Sequence, residues 1–439
     1  MATTAVPKAS TGASAPPVAE TMAPVVRSLL GDPPPLRMEF WDGSALGPTD
    51  GAGTLRLRSP DAFRRLLWSP TQLGLARAYI TGELDADGDI FELVESLRAA
   101  LPGDVRTAVG QVPAALRAAR RLGVLGRPLP PPPLEARLHG GRHSARRDAA
   151  AIHHHYDVGN EFYRLVLGPA MTYSCARFVD DTTELATAQA LKHDLICRKL
   201  GLDAMTGGRL LDVGCGWGSM VIHAATHYDV SAVGITISEA QAERARQRVA
   251  EAGVADRVEI RIQDYRDVRG QEYDAISSIG MSEHVGHQNL DRYYRLLHDA
   301  LRPQGRLLNH AISKVGGSKM GRSSFIGRYV FPDGELIDVG ESVLSMERAG
   351  FEVRDVESLR EHYARTLRAW VGNLEAGWEE AVRLVGVERA RVWRLYMAGS
   401  AIAFTDNEIA VHQVLGVVPT AKGTSGMPRT RAAFEQRAV

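Results

Sequence analysis

Apolar residues recur along this chain with two periods. Leu55-Arg56-Leu57-Arg58 alternates apolar and charged positions, which predicts a half-buried strand. Ser59-Pro60-Asp61-Ala62 predicts a helix start with proline at the first helical position, and apolar residues at helical spacing continue to Trp68. Ile90 to Ala100 predicts a further amphipathic helix. From Ala151 onward, short apolar runs predict strands near 209–213, 231–235, 257–262, 273–279 and 305–311. Helical segments fall between them, including Ser219 to His227, Glu239 to Gly253 and Leu290 to Leu301. Pro303-Gln304-Gly305 reads as the turn into the fifth strand, and a mixed helical segment follows from Glu341 to Glu408. Strand and helix in alternation give the α/β class: a mostly parallel sheet with helices on both faces, here with a small mixed α/β domain before it.

The 439 residues are enough for two or three domains. Residues 1–25 are rich in Ala, Ser, Thr and Pro and are expected to be disordered. They lack the basic start and apolar core of a secretory signal. A first domain is expected over 26–103, a basic helix and proline-rich linker over 104–147, a large α/β domain over 148–418 and a flexible tail over 419–439. Asp85-Ala86-Asp87-Gly88-Asp89 lacks the full ligand pattern of a calcium loop. Lysine plus arginine equals aspartate plus glutamate at 52 each, so global charge predicts no nucleic-acid partner. The charge is nevertheless uneven. Between Arg106 and Arg147 only Glu135 opposes a run of arginines that includes Arg117, Arg120, Arg121 and Arg146. Such a run is either a solvated linker or a surface drawn to anionic lipid headgroups. Cys175, Cys197 and Cys215 form neither a metal pattern nor a disulfide framework, which fits a reducing cytosol. No stretch approaches the length of an uncharged membrane span.

The sharpest chemical signal is Asp212-Val213-Gly214-Cys215-Gly216-Trp217-Gly218, at the end of the first predicted strand and just before a helix. Glycines there let the backbone approach a ligand where a Cβ would clash. No Gly-Lys-Ser/Thr follows, so this is not a Walker phosphate loop. The spacing matches motif I of class I S-adenosylmethionine (SAM) methyltransferases. In an open α/β sheet ligands sit beyond the carboxyl ends of the strands. Asp212, Gly214 and Gly216 lie there on the first strand, Thr236 and the nearby Gln241 on the second, and Asp264 and Tyr265 on the third. Thr236 and Gln241 would bind ribose through neutral hydrogen bonds, Asp264 the adenine amine, and Tyr265 the ring face. Each position is also compatible with a capping or core role.

Further motifs extend the likeness. They are His155-Tyr156-Asp157-Val158-Gly159-Asn160-Glu161-Phe162-Tyr163, Met171-Thr172-Tyr173-Ser174-Cys175-Ala176, Gly280-Met281-Ser282-Glu283-His284-Val285-Gly286, Tyr329-Val330-Phe331-Pro332-Asp333-Gly334 and His362-Tyr363-Ala364-Arg365-Thr366-Leu367-Arg368-Ala369-Trp370. In this order, with the glycine turn, the set resembles the cyclopropane-fatty-acyl-phospholipid synthases and their mycolic-acid relatives over most of residues 150–415. The resemblance implies methyl transfer from SAM to a cis double bond of a phospholipid acyl chain, then proton loss and ring closure. It adds Tyr173 and Ser174 to the SAM-binding set. It assigns Cys175, Glu283, His310, Ile312 and Tyr363 to the holding of a bicarbonate ion as general base. It also implies a cytoplasmic protein on the inner face of a membrane, acting on its phospholipids, and a homodimer. Ser282 departs from the larger apolar residue common in the family.

The chemistry explains such a set. An alkene is a weak nucleophile, so its π bond must be aligned with the sulfonium methyl. Water must be excluded because it would trap the cation. An aromatic face such as Tyr363 or Tyr156 stabilises positive charge. An unpaired protein carboxylate is costly in an apolar pocket, whereas a small anion held by donors is not. Glu283 and His310 are expected at the carboxyl ends of the fourth and fifth strands, beside the first. His153-His154-His155 cannot all face one way, and Glu283-His284 lacks the second histidine of a zinc motif, so no metal is expected. The alternatives are a sibling reaction giving a methylene or methyl branch, methylation of a small soluble molecule, and a non-catalytic lipid-binding protein.

Overall fold

The computed structural model describes residues 16–100, 112–136, 147, 158–316 and 324–435. It divides into two units, Met1–Pro132 and Pro133–Val439, so the division falls inside the proline run. The first unit holds strands β1 (Arg37–Glu39), β2 (Ala45–Leu46), β3 (Thr54–Leu57) and β4 (Leu84–Asp87) in the order β2-β1-β3-β4. Leu55 and Leu57 of β3 are buried, while Arg56 pairs with Glu39 and Asp87 and Arg58 with Asp85. Asp89 accepts the backbone N–H of Phe91 at 2.7 Å and caps helix Ile90–Ala100. The acidic run is thus occupied by ion pairs and a cap. Ser59 caps helix Pro60–Trp68 by accepting from the Asp61 amide at 3.3 Å.

Three sequence expectations need correction. Residues 1–15 lie outside the described residues, but disorder does not hold over the described part of 1–25, because Val18–Leu30 is a helix whose Val18, Ala19, Met22, Val25 and Val26 are buried. Its first amides donate to Asp42 and Ser44, more than twenty residues on, a cap that no local pattern reveals. The basic stretch is not a free linker throughout. Helix Val112–Arg121 buries Ala118 and Ala119 in the first unit and leaves Arg117, Arg120 and Arg121 exposed. The Pro130 carbonyl accepts from Arg65, while in the second unit Glu135 accepts from the Tyr329 hydroxyl and Arg147 pairs with Asp333. The tail is not loose as far as residue 435: Phe434 is buried, its carbonyl accepts from Arg198, and Arg431 pairs with Asp355. His153 to Asp157 and Arg146 lie outside the described residues.

The second unit is built on a seven-stranded sheet, β5 (Gly208–Val213), β6 (Val230–Thr236), β7 (Val258–Ile262), β8 (Tyr273–Ile279), β9 (Leu301–Lys314), β10 (Glu352–Ser358) and β11 (Ile409–Val417). Their order is β10-β11-β9-β8-β5-β6-β7. The five strands β9, β8, β5, β6 and β7 are mutually parallel, and β11 runs antiparallel to both β9 and β10. Helices Leu185–Leu200, Ser219–His227 and Glu239–Glu251 contribute to the core on one face; Leu290–Ala300 and Val339–Ala349 contribute to the core on the other. β10 and β11 are absent from the sequence reading. β10 reads Glu-Val-Arg-Asp-Val-Glu-Ser and has little apolar content of its own. β11 is almost wholly buried, so its apolar run lacks the alternation that marks a half-exposed strand. Among the described residues no helix is long and apolar enough to cross a membrane.

Candidate active site

β5 delivers Asp212 to a turn in which Gly214, Gly216 and Gly218 have φ of 75°, 53° and 79°. Such values favour glycine. The Gly214 and Cys215 amides donate to the Ile235 carbonyl of β6, which pins the turn across the sheet. A Cβ on Gly216 would meet nothing within 4 Å, so that glycine borders open space. Asp212 is 3% exposed and accepts from Ser277 Oγ at 2.6 Å. Burial pushes its carboxyl up to about 6, against the opposing pulls of Ser277 and Lys192. Thr236 Oγ1 donates to Gln241 Oε1 at 2.9 Å, so the amide donors are what Gln241 can offer a ribose. Asp264 already caps a short helical turn: its carboxylate accepts from the Arg266 amide at 2.9 Å and pairs with the Arg266 guanidinium. Tyr265 packs edge-on against Tyr293 and carries Arg266 on its face.

Tyr173, Ser174 and Cys175 lie on a loop whose anchors the sequence reading missed. Helix Leu185–Leu200 turns Gln189, Lys192 and His193 inward, all buried. Gln189 Nε2 donates to the Ser174 carbonyl at 2.9 Å, Lys192 Nζ donates to Ser174 Oγ at 2.9 Å, and His193 Nε2 lies 3.3 Å from Thr172 Oγ1. Spacing i, i+3, i+4 puts these three on one helix face. No sequence signal marks this face, because polar residues at that spacing read as the solvated side of a helix until their burial is seen. From the other side, Ser219 Oγ and Arg248 donate to the Ala170 carbonyl, and Met171 is held at φ 48°. A methionine in that region marks a strained loop. Desolvation pulls the Lys192 ammonium down to about 7. The Tyr173 hydroxyl lies 3.0 Å from that of Tyr396, and its ring packs among Tyr163, Trp370 and Trp393.

The second candidate set is linked by a chain of contacts. Glu283 lies just past β8, in the short helix Ser282–Val285, rather than at the strand end itself. The Ile312 amide of β9 donates to Glu283 Oε1 at 2.8 Å. Ile312 lies opposite Val411 of β11, and the Val411 carbonyl accepts from the Leu359 amide. The Leu359 carbonyl in turn accepts from the Cys175 thiol at 3.5 Å and from the Tyr363 amide at 3.0 Å. Cys175, Glu283, Ile312 and Tyr363 are therefore joined through three bonded segments. His310, two residues before Ile312, is buried with Nδ1 3.3 Å from Gln413 Nε2 of β11. Burial pushes the Glu283 carboxyl up to about 7 and the Cys175 thiol up as well, and holds His310 well below the usual range. Cys175 is thus a thiol, unsuited to nucleophilic attack. Glu283 Oε2 and His310 Nε2 are both buried without a protein partner. Buried polar atoms are normally paired, so each of these two atoms leaves a hydrogen-bonding position that the described residues do not fill. Ser282 is explained by Asn309, whose Oδ1 accepts from Ser282 Oγ at 2.9 Å and Ser278 Oγ at 3.2 Å.

Glycine turn, sheet order and flanking helices together define a class I SAM methyltransferase. The structure of the mycolic acid cyclopropane synthase CmaA1 from a complex with SAH and CTAB has this fold, with a TM-score of 0.58 and 35% identity over 61% of this chain and 98% of that one. The chain belongs to the family of SAM-dependent C-methyltransferases described as mycolic acid cyclopropane synthetase, which matches residues 143–414. It is 43% identical to a probable fatty acid methyltransferase of Mycobacterium tuberculosis over 90% of this chain and 93% of that protein. It is 34% identical to the cyclopropane-fatty-acyl-phospholipid synthase of Escherichia coli, over 82% of this chain and 87% of that protein.

Proposed function

We propose that this enzyme forms cyclopropane rings on cis double bonds of phospholipid acyl chains, and that bicarbonate held by Glu283, His310, Cys175, Ile312 and Tyr363 acts as the base. The observation that carries the reading is the pair of buried, protein-unpartnered atoms Glu283 Oε2, just past β8, and His310 Nε2, within the neighbouring strand β9; β8 in turn lies beside β5, which leads into the glycine turn. SAM supplies an electrophilic methyl, and bicarbonate supplies a proton acceptor small enough for an apolar pocket. The protein orients and desolvates. Asp212, Gly214, Gly216, Thr236, Gln241, Asp264 and Tyr265 form the cofactor side. The Gln189-Lys192-His193 face holds Tyr173 and Ser174 in place from behind. Tyr163, Tyr173, Trp370, Trp393 and Tyr396 surround the loop with aromatic rings, which exclude water and stabilise positive charge on the acyl chain. Ionised Glu283 accepts the acidic proton of the bound ion and so fixes its orientation. The exposed Arg117, Arg120 and Arg121 of the first unit support peripheral docking on anionic membrane lipid.

The 43% relative is named a methyltransferase rather than a cyclopropane synthase, which favours the sibling reaction as the second reading. Proton NMR of lipids from cells expressing the enzyme decides between them. Cyclopropyl protons resonate upfield, whereas a methylene branch gives a terminal =CH2 signal distinct from the internal alkene protons of unreacted chains, and a methyl branch gives a branch-methyl signal. Lipids that gain terminal =CH2 or branch-methyl signals and no upfield ones overturn the ring-forming reading. Turnover by purified enzyme in degassed buffer should rise with added bicarbonate at saturating SAM. Full activity without it would place the base elsewhere.

A further inference from the structure

β11 brings a residue to the proposed base site that no motif marks. Gln413 lies directly opposite His310 in the β9–β11 ladder, and the two side chains are 0% and 2% exposed. Gln413 Nε2 is 3.3 Å from His310 Nδ1. His310 Nε2, on the far side of the ring, has no protein partner. A neutral imidazole carries one N–H and one bare nitrogen, and the partner of one nitrogen decides which is which. We propose that Gln413 is a positioning residue: by donating to Nδ1 it holds His310 in the Nε2–H tautomer, so that the ring offers a donor to an anion held between His310 and Glu283.

Two observations and one electrostatic argument support the assignment beside the geometry. Donation by Gln413 leaves its Oε1 unpaired. Buried carbonyl oxygens lack partners more often than buried N–H groups do, so this amide orientation is the less costly one. The ring is held neutral by burial and by the positive Lys192 and Lys199 and the His412 ring, so a tautomer choice exists to be made. The opposite tautomer would present a lone pair at Nε2 and repel an anion bound there. The inference rests on the bicarbonate reading only for its consequence in catalysis, not for the tautomer itself.

The test uses full-length enzyme labelled with 15N at histidine, with His310 assigned from the signals missing in His310→Asn. Long-range proton–nitrogen spectra read the tautomer directly. Wild type should show His310 protonated at Nε2. Gln413→Met keeps the length but removes the donor, and should give a tautomer mixture. Gln413→Glu places an acceptor there, and should move the proton to Nδ1 or charge the ring. The bicarbonate concentration for half-maximal activity should rise about tenfold or more in Gln413→Met, by analogy with partners that orient metal-bound histidines, while SAM affinity stays unchanged. A wild-type ring protonated at Nδ1, or a Gln413→Met spectrum like wild type, overturns the proposal. The wild-type spectrum is decisive by itself should the variants fail to fold. A tautomer that shifts as expected, in enzymes indifferent to bicarbonate, upholds the role of Gln413 and overturns the bicarbonate reading instead.

Discussion

Glu283 is a buried carboxylic acid whose ionisation is costly to the fold. Burial raises its carboxyl from 4.5 to about 7, a difference on the order of 3 kcal/mol against the ionised form. Because the folded value lies above the unfolded one, the folded state holds the extra proton, and stability falls as pH rises from about 4.5 to 7. Glu283→Gln should therefore match wild type in thermal stability near the acid end of that window and exceed it at pH values above the window. Melting curves at both ends check this, and a variant less stable than wild type at high pH would refute it. The same variant should lose ring formation by roughly a hundred- to a thousandfold, as when one preorganised active-site group is deleted, with SAM affinity retained. Asp212 gives a second pH signature. SAM is a net cation, and Asp212 ionises near 6 while Lys192 loses its charge near 7, so the site gains negative charge across that range. SAM affinity measured by calorimetry should rise with pH there. Asp212→Asn should flatten the lower part of the curve. A flat wild-type profile would remove Asp212 and Lys192 from the cofactor's surroundings.

At the scale of elements, two short devices shape the proposed cofactor side. The glycine turn was legible because its requirement is local: positive φ at Gly216 and open space beside it. Gly216→Ala should cost about 1–2 kcal/mol of unfolding free energy from the left-handed backbone alone. It should also weaken SAM binding about tenfold as the methyl enters the space the ligand approaches, a loss of about 1.4 kcal/mol. Denaturant melts and calorimetry separate the two effects, and unchanged SAM affinity in the folded variant would show that the cofactor lies elsewhere. The polar face Gln189, Lys192 and His193 was not legible. In the sequence these residues look like the solvated side of a helix, and only their burial against the Thr172–Ser174 loop shows otherwise. Sequence reasoning likewise missed Gln413, because β11 was never recognised as a strand. A residue's cross-strand partner exists only once the sheet order is known.

For the molecule as a whole, the charge distribution matters more than the net charge. Arg117, Arg120 and Arg121 project from a helix that also leaves Leu116 exposed, and Trp68 and Leu125 are exposed in the same unit. Basic residues beside exposed apolar ones are the pattern of an interfacial surface. Each basic residue near an anionic membrane contributes about 1 kcal/mol. Arg117→Glu, Arg120→Glu and Arg121→Glu together should therefore lower binding to anionic vesicles by at least about a hundredfold at low salt. Wild-type binding should itself weaken toward 1 M salt, where the screening length falls to about 3 Å. Sedimentation with anionic and neutral vesicles checks both. Equal binding to the two at all salt levels would assign docking to Trp68, Leu116 and Leu125 instead. Arg147 is not part of this set, since it pairs with Asp333 in the second unit.

The sequence by itself determined the α/β class, the five parallel strands and the glycine turn, and through the spacing of its family motifs it pointed to the two candidate residue sets. Each of these is written in local terms: a strand's apolar run, a helix period, a backbone angle that glycine tolerates, a spacing of motifs. The tertiary structure decided what depends on contacts between distant segments. It turned the supposed disordered start into a helix capped by Asp42 and Ser44, and docked Phe434 of the supposed loose tail. It inserted β11 between β9 and β10, which set Gln413 against His310. It also buried Lys192 behind Ser174. Polar side chains become buried, paired or orphaned only when the chain closes on itself, because desolvation and hydrogen-bond geometry belong to the assembled surroundings and not to the residue.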